Sequence, residues 1–142
     1  MTNHPVSVRF RDPNVIEQLK AESDARGYSV SALVEQLTTE GLRMRRHPRV
    51  GFRDGPGGRR AVVAGGPDVW EVIGAILGGD VPVAERAPRA AELLGLNPAQ
   101  VDAALVYYAE FTDEIDRVLA ANLAAADESE ALWRRQQDLL AG

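Results

Sequence analysis

The sequence predicts a mainly helical protein with β-structure in two short stretches, and three observations support this class. Apolar and polar side chains alternate over residues 6–12, VSVRFRD, with the period of a strand that has one wet face. Several later segments repeat apolar residues at helical spacing. A Pro- and Gly-dense stretch, residues 47–69, separates the helical segments near the N-terminus from those that follow.

The first strand divides its side chains between two faces. One face carries Val6, Val8 and Phe10, and the other carries Ser7, Arg9 and Arg11. A helix is expected to follow at residues 13–26, because Asp12 is a favoured N-cap, Pro13 suits the first helical position and Gly27 suits the end. Its apolar stripe consists of Val15, Ile16 and Leu19.

A second helix is expected at residues 30–45, with Ser29 as its N-cap. Its apolar side chains follow i, i+3, i+4, i+7 spacing: Val30, Leu33, Val34 and Leu37. A strand-helix-helix unit of this size cannot bury an adequate core alone, and its strand has no partner within it. Both deficits disappear if two copies pair their strands antiparallel and interlock their helices.

The stretch HPRVGFRDGPGGRRAVVAGGPDV predicts a β-hairpin, with strands near 49–53 and 60–64 around a turn at 54–58. The basic residues 45–48 before it mark a domain boundary. We therefore expect three parts: residues 1–46, residues 47–111 and a C-terminal helical tail, residues 112–142.

Helical signals dominate after the hairpin. Val69, Val72, Ile73 and Ile76 form a stripe ended by Gly78-Gly79, and a short helix is expected at 88–94 before Gly95. Asn97-Pro98 begins a helix that buries Val101, Ala104, Leu105 and Tyr108. Thr112 is expected to cap a last helix, which carries Ile115, Val118, Leu119 and Asn122 and extends toward Leu140, with a break near 127–130.

Charge is distributed unevenly along the chain. Residues 1–60 hold eleven Arg or Lys against seven acidic residues, a net charge of +4, whereas residues 61–142 hold five Arg against fourteen acidic residues, a net charge of −9. The two halves therefore suit different partners, and only the first is suited to the phosphates of nucleic acid.

Composition excludes several classes of function. No apolar run approaches the length of a transmembrane helix, and residues 1–12 lack the apolar core of a signal peptide, so we expect a cytoplasmic protein with no membrane partner. Without Cys and with only two His, a structural zinc site is not expected. No nucleophile–base set is evident, so we predict no catalytic residues, no metal, no cofactor and no enzyme activity.

The first 46 residues resemble the ribbon-helix-helix family of DNA-binding proteins, through VSVRFRD, the helix after it and GYSVSALVEQL. The resemblance implies an obligate dimer whose paired strands enter the major groove. Carried onto this chain, the base-reading positions are Ser7, Arg9 and Arg11, and an arginine guanidinium can donate two hydrogen bonds to guanine. The alternative is that these arginines are solvated strand residues with no partner.

The same family anchors a phosphate at the N-terminus of its second helix. Here that position is Ser29, Val30 and Ser31, where backbone N–H groups meet the positive end of the helix dipole. Plain helix capping by Ser29 is the alternative, and the two roles are compatible.

Residues 47 to about 119 resemble a second family, the bacterial domain of unknown function 433, through the hairpin stretch, LLGLNP, VDAALVYYAE and DEID. That resemblance implies a helix-turn-helix-like domain that often serves as an antitoxin module beside a PIN-like ribonuclease. Gly66-Pro67 departs from the family's usual glycine-threonine. The helix expected at 98–109 lacks Lys and Arg, which favours packing over DNA reading, while Arg59 and Arg60 in the hairpin either contact backbone phosphate or solubilise the turn.

The tail ends in ALWRRQQDLL, where Trp133, Gln136 and Leu140 can share one side of a helix that docks in a partner's groove. Antitoxins of the VapB kind often block a nuclease's carboxylate cluster with an arginine, so Arg134 and Arg135 are the hypothesised inhibitors. Packing of Trp133 and the leucines onto their own domain is the alternative.

Together these observations predict an antitoxin of a type II toxin-antitoxin system. It would bind double-stranded operator DNA as a homodimer or higher oligomer, repress its own transcription and neutralise a PIN-like ribonuclease toxin. The alternatives are a stand-alone dimeric transcriptional regulator without a toxin, and an adaptor in which the strand only dimerises the chain.

Overall fold

A computed structural model of the chain describes residues 4–142 and shows a mainly helical fold with one small antiparallel sheet. The elements in chain order are α1 (Pro13–Arg26), α2 (Val30–Arg46), β1 (Val50–Gly55), β2 (Gly58–Val63), α3 (Val69–Leu77), α4 (Val83–Leu94), α5 (Pro98–Glu110) and α6 (Thr112–Ala141). The helical class expected from the sequence is confirmed. Contacts divide the chain into two compact units, one ending at Arg43 and one comprising Met44–Gly142.

The first unit contains α1 and most of α2. The side chain of Asp12 accepts a hydrogen bond from the Asn14 amide at 2.9 Å, which confirms Asp12 as the N-cap of α1. Gly27 ends α1 with φ of 70°, a left-handed conformation that favours glycine, and its N–H donates to the carbonyl of Ser23. Leu19 and Leu33 are the buried apolar side chains that the unit provides among its described residues.

Residues 4–10 form no regular secondary structure, so the strand expected at 6–12 is not present within one chain. In the dimer expected from the sequence, a second copy supplies the hydrogen-bonding partner of this strand. The intermolecular ribbon is therefore a proposal about the dimer and is treated as such below.

The second unit begins with the hairpin, whose strands pair from Val50↔Val63 to Gly55↔Gly58. Its loop is the two residues Pro56-Gly57, shorter than the turn of five residues expected from the sequence. Alternation along β1 and β2 turns one face inward, so that Val50, Ala61 and Val63 are buried against the helices.

The core of this unit lies between the hairpin and α3 to α6. It consists of the buried residues Val50, Ala61, Val63, Val69, Val72, Ile73, Ile76, Ala90, Val101, Ala104, Tyr107 and Ile115. All four members of the stripe expected on α3 are buried, which confirms that prediction. On α5 the buried tyrosine is Tyr107, whereas the sequence favoured Tyr108, which is only half-buried.

Gly74 of α3 permits a close approach between helices. A Cβ at this position would lie 3.3 Å from Cδ2 of Leu119 on α6, which is tighter than ordinary van der Waals contact. The absence of a side chain at Gly74 thus sets the distance at which the start of α6 packs on α3.

Three boundaries differ from the expectation. Helix α4 begins at Val83, before the predicted start at Pro88, which lies inside the helix. Helix α6 has Phe111 as its N-cap, and the Thr112 hydroxyl donates to the carbonyl of Tyr108 at 2.7 Å, so Thr112 is not the cap. Helix α6 also runs unbroken through residues 127–130, because Glu130 pairs with Arg134 one turn later at 2.5 Å and the other polar side chains there face solvent.

Candidate nucleic-acid and protein interfaces

The N-terminal segment is an exposed, alternating stretch that one chain leaves without a partner. Val6 is 81% exposed and Val8 is 64% exposed, although both are β-branched and apolar. Ser7, Arg9 and Phe10 line an open cavity of about 530 Å³ that also contacts Ile16 of α1. The three residues predicted to read bases thus lie in a segment whose apolar face is still uncovered.

A second apolar surface lies between α1 and α2. A groove of about 750 Å³ there is lined by Val15 and Leu19 of α1 and by Leu33 and Leu37 of α2. Leu37 is 48% exposed although the helical stripe predicted its burial. Exposed apolar surface of this kind is typical of an interface, and it is what a second copy would cover.

The corner between α1 and α2 fixes the predicted phosphate site. The Ser23 hydroxyl donates to the carbonyl of Tyr28, and the Ser29 hydroxyl accepts a hydrogen bond from the Ala32 amide at 3.1 Å. Ser29 is therefore the N-terminal cap of α2, as expected. The amides of Val30 and Ser31 belong to the first turn, where no intrahelical acceptor exists, and both residues are exposed.

The hairpin arginines lie in ion pairs. Arg59 contacts Asp54 across the strand pair, with 3.2 Å from Nη1 to Oδ1. Arg60 contacts Asp68 with 3.5 Å from Nη1 to Oδ2, and its side chain is only 17% exposed. Arg60 is therefore held by protein groups, which lowers the support for its predicted phosphate contact, and that role stays a prediction for both arginines.

Asp68 is the centre of a polar cluster that the sequence did not predict. Its carboxylate accepts hydrogen bonds from Arg53 and from Nε1 of Trp70, the latter at 2.9 Å, besides the contact with Arg60. The Asp68 amide donates to the Glu71 carboxylate at 3.2 Å, which is the reciprocal half of a capping box. The spacing Asp-x-x-Glu was the available signal in the sequence, but it gives no indication of the two arginines.

His47 anchors the start of the second unit to α5. Its Nε2 lies 2.7 Å from Glu110 Oε2, and Arg46 Nη1 lies 2.9 Å from Glu110 Oε1. The imidazole is buried and makes edge contacts with the rings of Tyr107 and Phe111 at centroid distances of 5.2 and 5.8 Å. Glu110, the last residue of α5, is thus part of a structural contact.

The side chain of Gln100 on α5, the helix expected at 98–109, also stabilises the fold. Gln100 caps α5 through Asn97, and its Nε2 donates to the carbonyl of Ala64 at 3.1 Å. Among the residues described, α5 carries no cation, and Asp102 is its exposed acid. This arrangement supports the expectation that α5 packs rather than reads DNA.

Among the described residues, Tyr108 has a pKa that is shifted from its ordinary value. The hydrogen bond that its phenol donates to Asp116 at 2.7 Å raises the pKa of Tyr108 above its usual value, with smaller contributions from desolvation and from the negative charge of Asp116. This hydrogen bond joins α5 to α6.

The C-terminal part of α6 is exposed on every side from residue 123 to residue 142. Trp133 is 59% exposed, and Leu132, Leu139 and Leu140 are exposed as well. Trp133 and Leu140 do not pack onto their own chain, which contradicts the alternative of a folded-back tail. Arg134 lies beside Trp133 in an exposed pair with Glu130, and Arg135 is exposed.

Two chemical possibilities find no residues to support them. Within the described part of the chain, no group of three His, Cys, Asp or Glu side chains is placed to hold a metal ion. None of the helices at residues 4–142 has both the length and the apolar character needed to cross a bilayer.

Comparison with known proteins gives no match: no family model fits the chain, and neither a curated protein nor a solved structure is significantly similar to it. The two family resemblances thus depend on the residues quoted for them.

Proposed function

We propose that the chain is a dimeric DNA-binding antitoxin, whose N-terminal segments pair into a two-stranded ribbon that reads operator DNA. The observation that carries the proposal is the exposure of Val6, Val8 and Phe10, which alternate along the sequence with Ser7, Arg9 and Arg11. As a strand, this segment would place the two sets on opposite faces. An antiparallel pairing with a second copy covers the first face and presents the second to a major groove.

The groove between α1 and α2 supports the same dimer. With Leu19 and Leu33 as its buried apolar side chains, the first unit has too little core to be stable alone. A second copy that interlocks its helices covers Leu37 and the groove around it. Burial of apolar surface is then the driving force, while the ribbon sets the register.

The phosphate contacts follow from the same geometry. The amides of Val30 and Ser31 open toward solvent at the start of α2, and Ser29 fixes the helix end. A DNA phosphate placed there meets the positive end of the dipole. Such contacts position a protein on the duplex, whereas Arg9 and Arg11 distinguish bases.

In the second unit, residues 95–97 join α4 to α5 as in a helix-turn-helix-like domain. This unit has a structural role in the proposal and does not read DNA. The exposed end of α6 is the surface proposed to neutralise a PIN-like ribonuclease. Trp133 and Leu140 would fill an apolar groove of the nuclease, and Arg134 and Arg135 would pair with its carboxylates.

A binding experiment with the upstream DNA of the gene tests the first part. Wild type should bind this fragment specifically, and the double variant Arg9→Ala/Arg11→Ala should lose that preference. Lys20→Ala, an exposed cation on α1, is the matched control. Equal binding by wild type and the double variant would reject base reading and leave the adaptor.

Co-expression with the product of the adjacent gene tests the second part. Growth rescue together with co-purification supports the antitoxin. A neighbour with no toxicity and no binding favours the stand-alone regulator, which the exposed arginines of the N-terminal segment support without any toxin.

A further inference from the structure

Two apolar surfaces of the second unit are exposed. The first is a groove between α4 and α5, which the proposed function does not use. The groove has a volume of about 290 Å³ and lies within the second unit. Its walls are Ala87, Pro88 and Ala91 on α4 and Val101 and Leu105 on α5, and Asp102 is its charged lining residue. A site of this shape accepts one large apolar side chain, with a cation placed beside the carboxylate.

The second surface is the exposed end of α6. Ile115 is buried at the start of this helix, and Trp133 lies eighteen residues later, which is five full turns at 3.6 residues per turn, so both point to the same side. The face of α6 that packs on its own unit therefore continues beyond that unit to Trp133. Beside Trp133, Arg134 provides a cation.

The chain cannot bring its own Trp133 into its own groove. Helix α6 is continuous, and Leu119 is held beside Gly74 of α3, so Trp133 lies about 21 Å farther along the helix axis. A return to α4 and α5 requires the helix to break. Only a different copy of the chain can therefore bring a Trp133 to this groove.

We propose that the groove between α4 and α5 binds the Trp133 end of α6 from a second copy of this chain. The indole would fill the space between Ala91 and Leu105, and Arg134 would pair with Asp102. Charge complementarity favours this occupant, because Arg134 flanks the large aromatic side chain of the exposed helix and Asp102 is the charged group of the groove. The present ion pair of Arg134 with Glu130 is exposed on both sides and hence weak, so the guanidinium can exchange it for Asp102. The contact is heterologous, since groove and helix end are different surfaces of the chain.

This contact is independent of the N-terminal ribbon and needs neither DNA nor a nuclease. It uses the same face of α6 that is proposed to bind a toxin, so the two partners compete for Trp133. A toxin would displace α6 of the second copy from the groove.

The test is sedimentation velocity of the full chain over a concentration series, without DNA or toxin. Wild type should form assemblies larger than the dimer that pairing of the N-terminal segments produces. Trp133→Ala should weaken the affinity of this further association by about 30-fold, as expected for a central aromatic anchor. Asp102→Lys and Arg134→Glu should each weaken it, and the double variant Asp102→Lys/Arg134→Glu should recover most of it. Glu128→Ala, on the polar side of α6, should leave it unchanged.

Three outcomes overturn the proposal. They are a single wild-type species at all concentrations, association of Trp133→Ala like wild type, and failure of the two charge reversals to rescue each other. The last outcome, with a strong effect of Trp133→Ala, identifies a different partner surface for α6, such as a second α6. Because the assay contains no DNA and no nuclease, failure here leaves the proposed antitoxin role untouched.

Discussion

Nε2 of His47 lies 2.7 Å from Oε2 of Glu110, although the two residues are 63 positions apart in the sequence. The contact joins the segment that precedes β1 to the last turn of α5. Arg46 adds a second contact to the same carboxylate at 2.9 Å. The start of the second unit is thus attached to its core through the buried imidazole of His47 and through the Glu110 carboxylate, which contacts both His47 and Arg46.

Replacing His47 with Ala should destabilise the second unit. The variant removes a buried ring that contacts Tyr107 and Phe111 and leaves the Glu110 carboxylate with one partner fewer, so we expect a loss of about 2–3 kcal/mol. Urea unfolding followed by Trp70 fluorescence measures this loss, in the background of Trp133→Phe. Glu128→Ala, which removes an exposed acid on α6, is the control, and an equal effect of both variants would contradict the assignment.

Replacing Asp68 with Ala should have a comparable or larger effect. Arg60, with a side chain that is only 17% exposed, would lose its carboxylate, and the indole N–H of Trp70 would lose its acceptor. Removal of one member of a partly buried charge cluster is expected to cost about 3 kcal/mol.

The matched control for Asp68 is Asp54→Ala, which removes the exposed partner of Arg59 on the same hairpin. An exposed pair of this kind should cost below about 1 kcal/mol. If Asp68→Ala and Asp54→Ala unfold at the same urea concentration, Asp68 does not organise the cluster as described.

Secondary structure was largely predictable, because it depends on local signals. Asp12 begins α1, and Gly27 and Gly95 end α1 and α4, each through contacts within a few residues. The stripe predicted on α3 consists of apolar residues at helical spacing, and all of them are buried. The cluster around Asp68 and the contact of His47 with Glu110 were not predictable, since each joins elements that only the tertiary fold brings together. For the same reason Arg60, whose partner is Asp68, seemed free in the sequence.

In the native protein, the pKa of Tyr108 should lie above the usual value for a tyrosine, which is about 10. Its hydrogen bond to Asp116 raises the pKa, so the folded state retains the phenol proton more strongly than the unfolded state does. The associated stabilisation is fully present below the unfolded pKa and is lost as the pH rises through the folded pKa. Ultraviolet titration of Asp116→Asn should show an earlier ionisation, with Tyr108→Phe identifying the transition. An unchanged titration curve in Asp116→Asn would exclude the hydrogen bond as the cause.

Arg9→Ala should relax base preference at operator positions, whereas Arg49→Ala should weaken binding to all sequences alike. Arg9 is placed to reach base edges in the proposed ribbon, while Arg49 is an exposed cation before β1 that suits only phosphate. Anisotropy titrations on operator and scrambled duplexes over a range of salt separate the two effects. Loss of one phosphate contact should reduce the salt slope by about 1. If Arg9→Ala changes only the salt slope, its role as a base-reading residue is wrong.

Deletion of residues 127–142 should abolish toxin neutralisation and leave operator affinity nearly intact. The deleted part of α6 is exposed throughout, so its loss removes no core residue and the second unit should keep its urea midpoint.

Within the tail, Trp133→Ala should reproduce most of the loss of toxin neutralisation, because a central aromatic anchor contributes the largest share of binding energy. Leu123→Ala, on the same helix but before the deleted segment, provides the control. The measurements are growth under toxin expression, pull-down of the toxin and anisotropy with operator. An equal loss of toxin binding and DNA binding would refute the separation of the two functions between the ends of the chain.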